Sequence, residues 1–429
     1  MTATLDRPAG VAAGAPRRAV RRPVVLALGA LVLLLLLSVT RAVTGIDDVT
    51  SVGTAGAALA LAVPIGLAAL GGLFAERAGV VNIGLEGMMI LGTWFGAYVG
   101  YQHGPWAGVL AGALGGALGG AVHAVATITF GVDHIISGVA INIIAAGVVR
   151  YLSVLAYAGR PDAGPTQSPP VRPIATVGLP VLSGQRVFGW QSPDLLGDLA
   201  RQRWFGVSDL AGILRGITGG VSELTLLAVL LIPASALLLW RTAFGLRLRS
   251  VGESPVAAES LGVGVYRMKY AGVLLSGALA GLAGAFLVTV AASYYREGQT
   301  GGRGFIGLAA MIFGNWRPGG AALGSLLFGY TDGLQLRQSS AVHALLLGVG
   351  LLLLVVSALA VRRGLRVRAV LAGVIGLGLV VLFALTDTIP QELVGATPYV
   401  TTLLVLSLAS QRLRPPAADG VPYRRGQGR

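Results

Sequence analysis

Apolar runs of about twenty residues recur along almost the whole chain, and no other feature restricts the fold as much. Crossing the hydrocarbon core of a bilayer takes about 20 helical residues. Lipid offers backbone amides and carbonyls no water partner, so repeated runs of this length mean helices rather than open sheet. We place spans at 24–40, 52–72, 80–100, 106–130, 135–157, 223–240, 270–292, 319–336, 341–361, 369–386 and 397–411, with a shorter apolar piece at 304–316. The expected fold is all-α, a polytopic transmembrane helical bundle with about 11–12 membrane passes, one of them short or broken. Composition agrees, because 54% hydrophobic and 12% charged residues leave a chain of 429 residues too little polar surface for water.

The formal charge of +14 does not indicate nucleic acid, since the arginines sit between apolar runs instead of along one solvated face. The chain has no cysteine, which removes disulfides and thiolate metal sites, and no His-Glu-x-x-His that would suggest zinc chemistry. Counting passes forward from a cytoplasmic, Arg-rich N-terminus puts 21 Arg or Lys on inner segments and four (Arg41, Arg296, Arg303, Arg337) on short outer loops. That positive-inside bias needs the 304–316 piece to count as one crossing. The expected organisation is a basic cytoplasmic N-terminus (1–23), an additional first helix (24–45) and the N-terminal part of a core (46–157). An extracytoplasmic loop (158–222), the rest of the core (223–338) with an inner loop at 241–269, an inserted hairpin (339–388) and a last helix with cytoplasmic tail (389–429) complete it. The first helix resembles a signal peptide but lacks an obvious cleavage site and reads as uncleaved.

Polar side chains within spans are costly and are functional candidates by default. Asn82 and Glu86 are four apart, as if on one helix face, and either line a solute path or form an interhelical hydrogen-bond cluster with Glu86 neutral or paired to Arg77. Asn142 and Arg150 share a face eight residues apart, and Asp332 with Gln335 forms another candidate pair. His123 and His343 read as packing residues. Gly108, Gly112, Gly116 and Gly120 lay a smooth strip along one span, and Gly277 and Gly281 repeat the pattern; such strips let helices approach closely in lipid.

Within 241–269, Ser254 before Pro255 reads as an N-cap with proline at the first helical position, and Gly262 offers a left-handed stop. A short capped helix over Pro255–Leu261 is either a peg for a cytoplasmic protein or a helix lying in the headgroups. Lys269, the only lysine, lies between Met268 and Tyr270, so no Gly-Lys-Ser/Thr phosphate loop exists and any ATP must be hydrolysed elsewhere.

Residues 71–89 (GGLFAERAGVVNIGLEGMM), 252–262 (GESPVAAESLG), 302–316 (GRGFIGLAAMIFGNW) and 398–404 (PYVTTLL) closely resemble, in order, motifs of nucleoside-type ABC importer permeases, part of the wider sugar and branched-chain amino acid permease superfamily. The resemblance implies that Gly252, Glu253, Ser254, Pro255, Ala257, Ala258 and Gly262 belong to a coupling helix seated in a groove of an ATPase subunit. It further implies a second homologous permease in a heterodimer, an extracytoplasmic substrate-binding lipoprotein, a bacterial plasma-membrane location, no cofactor and no catalytic residue in this chain. The extra first helix, the 158–222 loop and the 341–386 hairpin depart from that pattern. Trp94, Phe95, Asn142 and Phe305 are candidates for a base-binding wall. Other readings are a sugar or amino-acid permease, or a proton-coupled secondary transporter with the proton on Glu86 or Asp332.

Overall fold

The computed structural model describes residues 22–187, 190–337, 339–397, 400 and 413–426. The basic N-terminal residues 1–21, most of the expected 397–411 span and most of the 398–404 motif therefore lie outside the described residues.

Five helices come first: α1 (Arg22–Thr44), α2 (Val52–Arg77), α3 (Leu85–His103), α4 (Pro105–Ala124, prolonged by a π turn to Thr129) and α5 (His134–Tyr157). The 158–222 stretch holds two small antiparallel strand pairs and two helices, α6 (Leu195–Arg201) and α7 (Val207–Thr218). Then follow α8 (Glu223–Arg241), α9 (Ala243–Glu253), α10 (Pro255–Ser260) and α11 (Val265–Phe286, prolonged by a π turn to Ala291). Next come α12 (Arg303–Phe313), α13 (Pro318–Gln335), α14 (Ser339–Arg362), α15 (Arg366–Leu385) and α16 (Gln391–Val394). Among the described residues eight helices are long and apolar enough to span a membrane, namely α1, α2, α4, α5, α8, α11, α14 and α15.

The centre is built on α2 and α11, which pack on each other; α12 and α13 close one side and α3 and α4 the other. α4 shows how the sequence directs this packing. Its glycine strip faces inward: Gly108 lies against Gly96 and Gly100, Gly112 against Gly92 and Ala285, and Gly116 and Gly120 against Gly277 and Gly281. Leu110, Leu114, Leu118 and Val122 occupy the opposite, exposed face. Without a hydrophobic driving force between helices in lipid, close backbone approach supplies the van der Waals contact that holds them. The hairpin α14–α15 sits outside this centre and touches α1 and the end of α13.

Two expected helix bounds need correction, and two stretches hold additional helices. The span placed at 80–100 becomes helical only at Leu85, because Ala78–Gly84 is non-helical; Gly79 is left-handed (φ +76°) and the Asn82 side chain bonds the nearby backbone at Gly84. Asn82 and Glu86 therefore share no helix face. The 158–222 stretch is more than a loop, since Gly212 and Gly216 of α7 press on Thr50, Val52 and Ala55 and Asp209 accepts from Thr50 Oγ1 at 2.5 Å. The 241–269 stretch holds a second helix, α9, because Thr242 caps it by accepting from Gly245 N at 3.1 Å. The capped helix itself ends at Ser260, one residue short of the expected Leu261, with Gly262 left-handed (φ +81°).

Candidate functional site: two interrupted crossings and a capped elbow

The non-helical residues 78–84 enter the bundle from the face that carries α9 and α10. Asn82 donates from Nδ2 to Ser276 Oγ at 2.8 Å, and Ser276 lies eleven residues into α11, about 16 Å at 1.5 Å per residue. Gly84 packs on Gly138, four residues into α5 or about 6 Å, so α3 begins inside the bundle and, with 19 residues, is itself about 28 Å long. α12 begins at the same level: the backbone amides of Gly302 and Gly304 donate to the two carboxylate oxygens of Glu86 at 2.9 and 2.7 Å. Gly301 and Gly302 are both left-handed (φ +56° and +77°), which turns the chain into the helix. The other end of α12 meets the end of α2, where Trp316 O accepts from Arg77 Nη2 at 2.8 Å. Its 11 residues thus cover about half a crossing, and residues 292–302 supply the rest without helix. The short piece at 304–316 is a half-helix completing an interrupted crossing.

Non-helical backbone at membrane depth persists only where protein groups satisfy it. Here side chains do so one by one. Lys269 Nζ donates to Gly79 O at 3.1 Å, His134 Nδ1 accepts from Val81 N at 3.3 Å, and His123 Nε2 bonds Val81 O at 3.0 Å. Asn82 Oδ1 accepts from Gly84 N at 3.0 Å; Asn142 donates to Ile83 O at 3.1 Å and accepts from Gly87 N at 2.7 Å. Each bond offsets a loss of about 1–3 kcal/mol that a buried unpaired group would cause. Glu86 does the same for α12, and a carboxylate at a helix N-terminus is also favoured by the dipole. Sequence reasoning missed His134, the backbone bond of His123 and the role of Lys269; Lys269 lies 190 positions from Gly79, and its being the one lysine, at the head of an apolar run, was the available signal.

The structure brings Asn82, Glu86 and Asn142 to this one junction. It places Asp332 one step away, where Asp332 Oδ2 pairs with Arg303 Nη2 at 2.9 Å and the other oxygen takes Gln335. Arg150 lies apart, exposed and 3.5 Å from Glu297 in the 292–302 segment. Arg77 pairs with Glu253 at 3.7 Å rather than with Glu86. Trp94 and Phe95 belong to an aromatic cluster in which Trp94 stacks on Tyr98, with centroids 5.0 Å apart, and the rings of Tyr101 and Tyr295 gather round Tyr157. Phe305 is half-exposed on α12, and His343 bonds Thr386 Oγ1 at 3.1 Å between α14 and α15.

The second constellation is the elbow of α9 and α10. Ser254 caps α10 by accepting from Ala257 N at 3.4 Å, Gly252 is pressed against Arg77 O and Gly79, and Ala258 is buried. The outer side of the elbow is uncovered and mixed, with Leu261 84% exposed and Val256 41% exposed beside the exposed Arg247, Glu253 and Ser260. Beside it, Asn315 and Trp316 at the end of α12 are left-handed non-glycine residues (φ +52° and +53°). Such backbone costs about 1–3 kcal/mol and survives where surroundings fix it. Trp316 is fixed by Arg77 and by its indole donating to Glu76.

Comparison with known proteins places this architecture. The family model described as the permease component of branched-chain amino acid transport systems matches residues 54–358, from the start of α2 through most of α14. The guanosine ABC transporter permease NupQ of Bacillus subtilis is 33% identical over 379 residues, covering 86% of this chain and 96% of NupQ. The nucleoside ABC transporter permease NupC of Lactococcus lactis is 34% identical over 368 residues, 84% of this chain and 93% of NupC. TsgC13 of Haloferax volcanii, an ABC permease provisionally assigned to glucose, is 30% identical over 366 residues, 84% of this chain and 93% of TsgC13. No solved structure matches. The chain is a multi-pass membrane protein and belongs to the family of branched-chain amino acid transport permease components.

Proposed function

We propose that this chain is the membrane-spanning subunit of an ABC importer for nucleosides, working by alternating access in a bacterial plasma membrane with its N-terminus cytoplasmic. The observation that carries the reading is the α9–α10 elbow: a capped short helix, exposed on its outer side, whose neighbouring Gly252 and Glu253 hold the end of α2. A headgroup-lying helix needs no such bracing, whereas a peg that transmits force from a soluble partner does. The partner is an ABC ATPase subunit, since this chain lacks a phosphate loop and its single lysine is engaged with Gly79 O. A second, homologous permease and an extracytoplasmic substrate-binding lipoprotein complete the assembly, and the chain itself holds no cofactor.

Discontinuous helices inside the membrane are where transporters build their solute paths, and α12 is one. Asn82, Glu86 and Asn142 are the residues that hold this junction together, so their role is to fix α12 against α3, whose relative movement opens and closes the path. The nucleoside assignment rests on the names of NupQ and NupC, the glucose-assigned relative being less similar.

The test is uptake into proteoliposomes holding the full complex, with labelled guanosine, glucose and leucine supplied in turn. We expect guanosine uptake that requires ATP. Uptake of glucose or leucine in its place would overturn the cargo, and uptake that survives without ATP would favour a proton-coupled carrier.

A further inference from the structure

The tail comes back to the elbow. Residues 413–426 run across the face that carries α9 and α10 and touch every element converging there. Arg414 N donates to Asn315 Oδ1 at 2.8 Å, at the left-handed end of α12. Ala417 N donates to the Glu253 carboxylate at 3.3 Å and Ala418 N to Gly252 O at 2.9 Å, both at the end of α9. The Ala418 carbonyl lies against Gly79, and Gly420 lies against Val81 of the re-entrant segment. The Asp419 carboxyl enters a recess beside Glu76, Arg77 and Lys269. Tyr423 is buried with Val251, Ala258 and Val265, its ring 5.6 Å from that of Tyr266, and Arg425 reaches Glu259 of α10 at 3.6 Å.

This arrangement matters because α10 is six residues long. A helix that short has no stability of its own and moves as its neighbours dictate. Its buried side chain, Ala258, packs against Tyr423 of the tail as well as Val251 and Val265. The tail thus joins α10 on one side to Gly79 and Val81 on the other, and those residues begin the segment that leads to Glu86.

We propose that residues 413–426 are a strap that locks the coupling helix to the re-entrant segment, so that displacement of α10 by the ATPase subunit is delivered to the junction at Glu86. This rests on the proposed function, and it assigns the tail a positioning role in coupling rather than a contact with solute. Tyr423, Asp419 and the backbone of Ala417–Ala418 are its fastening points.

Three variants test it in the complete reconstituted complex, read as solute imported per ATP hydrolysed. Whichever solute the unaltered complex imports is the reference, so a wrong cargo and a wrong strap give different results. We expect Y423A, and truncation after residue 412, to keep the ATPase subunit bound and hydrolysing within twofold while import per ATP falls at least tenfold. Unchanged import per ATP would overturn the proposal, as would a loss of import that merely tracks lost ATPase subunit, or a gain that marks the tail as an inhibitor. Because the chain has no cysteine, Y423C combined with A258C fastens the strap covalently and does not depend on the truncated chain folding. Retained import after oxidation is the expected result, since strap and helix move together. Import lost on oxidation and restored by reduction would show that the strap must detach, and would refute the lock.

Discussion

Helices α2 and α1 are equally apolar by hydropathy, yet 72% of the apolar window of α2 is buried inside the protein against 11% of that of α1. α11 and α15 repeat the contrast, at 72% and 17%. Hydropathy therefore sorts residues between water and membrane but does not decide which helix forms the centre. Lipid tails are as apolar as leucine, so burial in protein follows from shape: glycine and alanine where backbones touch, leucine and valine where lipid does. α4 carries both kinds of surface two residues apart, with Gly116 against Gly277 and Gly281 and Leu114 on the open face.

That pair gives the sharpest way to break the comparison. G116L should drive a branched side chain into two helix backbones and cost more than about 3 kcal/mol, seen as loss of folded protein in detergent. L114A should stay within about 0.5 kcal/mol of the parent. The same contrast is expected between G281L and G378L, since nothing lies within 4 Å of a side chain added at Gly378. Equal damage at Gly116 and Leu114 would mean that the Leu114 face is covered by a protein neighbour.

Smaller effects are expected where polar groups, not shape, hold the centre. E86Q keeps one carbonyl acceptor for two amides, so one of Gly302 N and Gly304 N loses its partner at about 1–3 kcal/mol. Thermal unfolding of the purified chain should register that loss, and import should fall further because α12 is released from α3. N142A should act in the same direction by freeing Gly87 N and Ile83 O. An E86Q protein with unaltered stability and unaltered import would remove the junction from the mechanism.

The gentlest test is pH, at the strap. Burial, partly offset by the hydrogen bond with Glu76 and by the charges of Lys269 and Arg77, pushes the Asp419 carboxyl from the ordinary 3.8 up to about 7. Its docked form therefore binds the proton more tightly than the free tail does. Docking is firmest below about pH 4, weakens as pH rises from there towards 7, and is flat above. A spin label at G426C should become more mobile across that window, and D419N should abolish the slope. A slope of the opposite sign would mean that Asp419 is held as the anion by Lys269 and Arg77.

Much of this was legible beforehand. The membrane class, the helices, the capped elbow and the broken crossing follow from local rules: run length, an N-cap before proline, a left-handed glycine after. Asn82, Glu86 and Asn142 could be singled out because polar groups in apolar runs need a reason. Their partners could not be read, because a bond from Glu86 to Gly302 and Gly304 joins residues more than two hundred positions apart. The assumed face shared by Asn82 and Glu86 failed for a related reason: Ser276, His123 and His134 satisfy a backbone that local pattern would make helical.

The sequence by itself determined that this chain lives in a bilayer as a helical bundle and where its soluble elbow is capped, since each depends on residues near in the chain and on solvent. The tertiary structure alone decided which helices form the centre, that two crossings stop at the same depth, and that the tail returns to the elbow. Those outcomes depend on which backbones fit closely and which orphaned amides find acceptors, and lipid supplies neither.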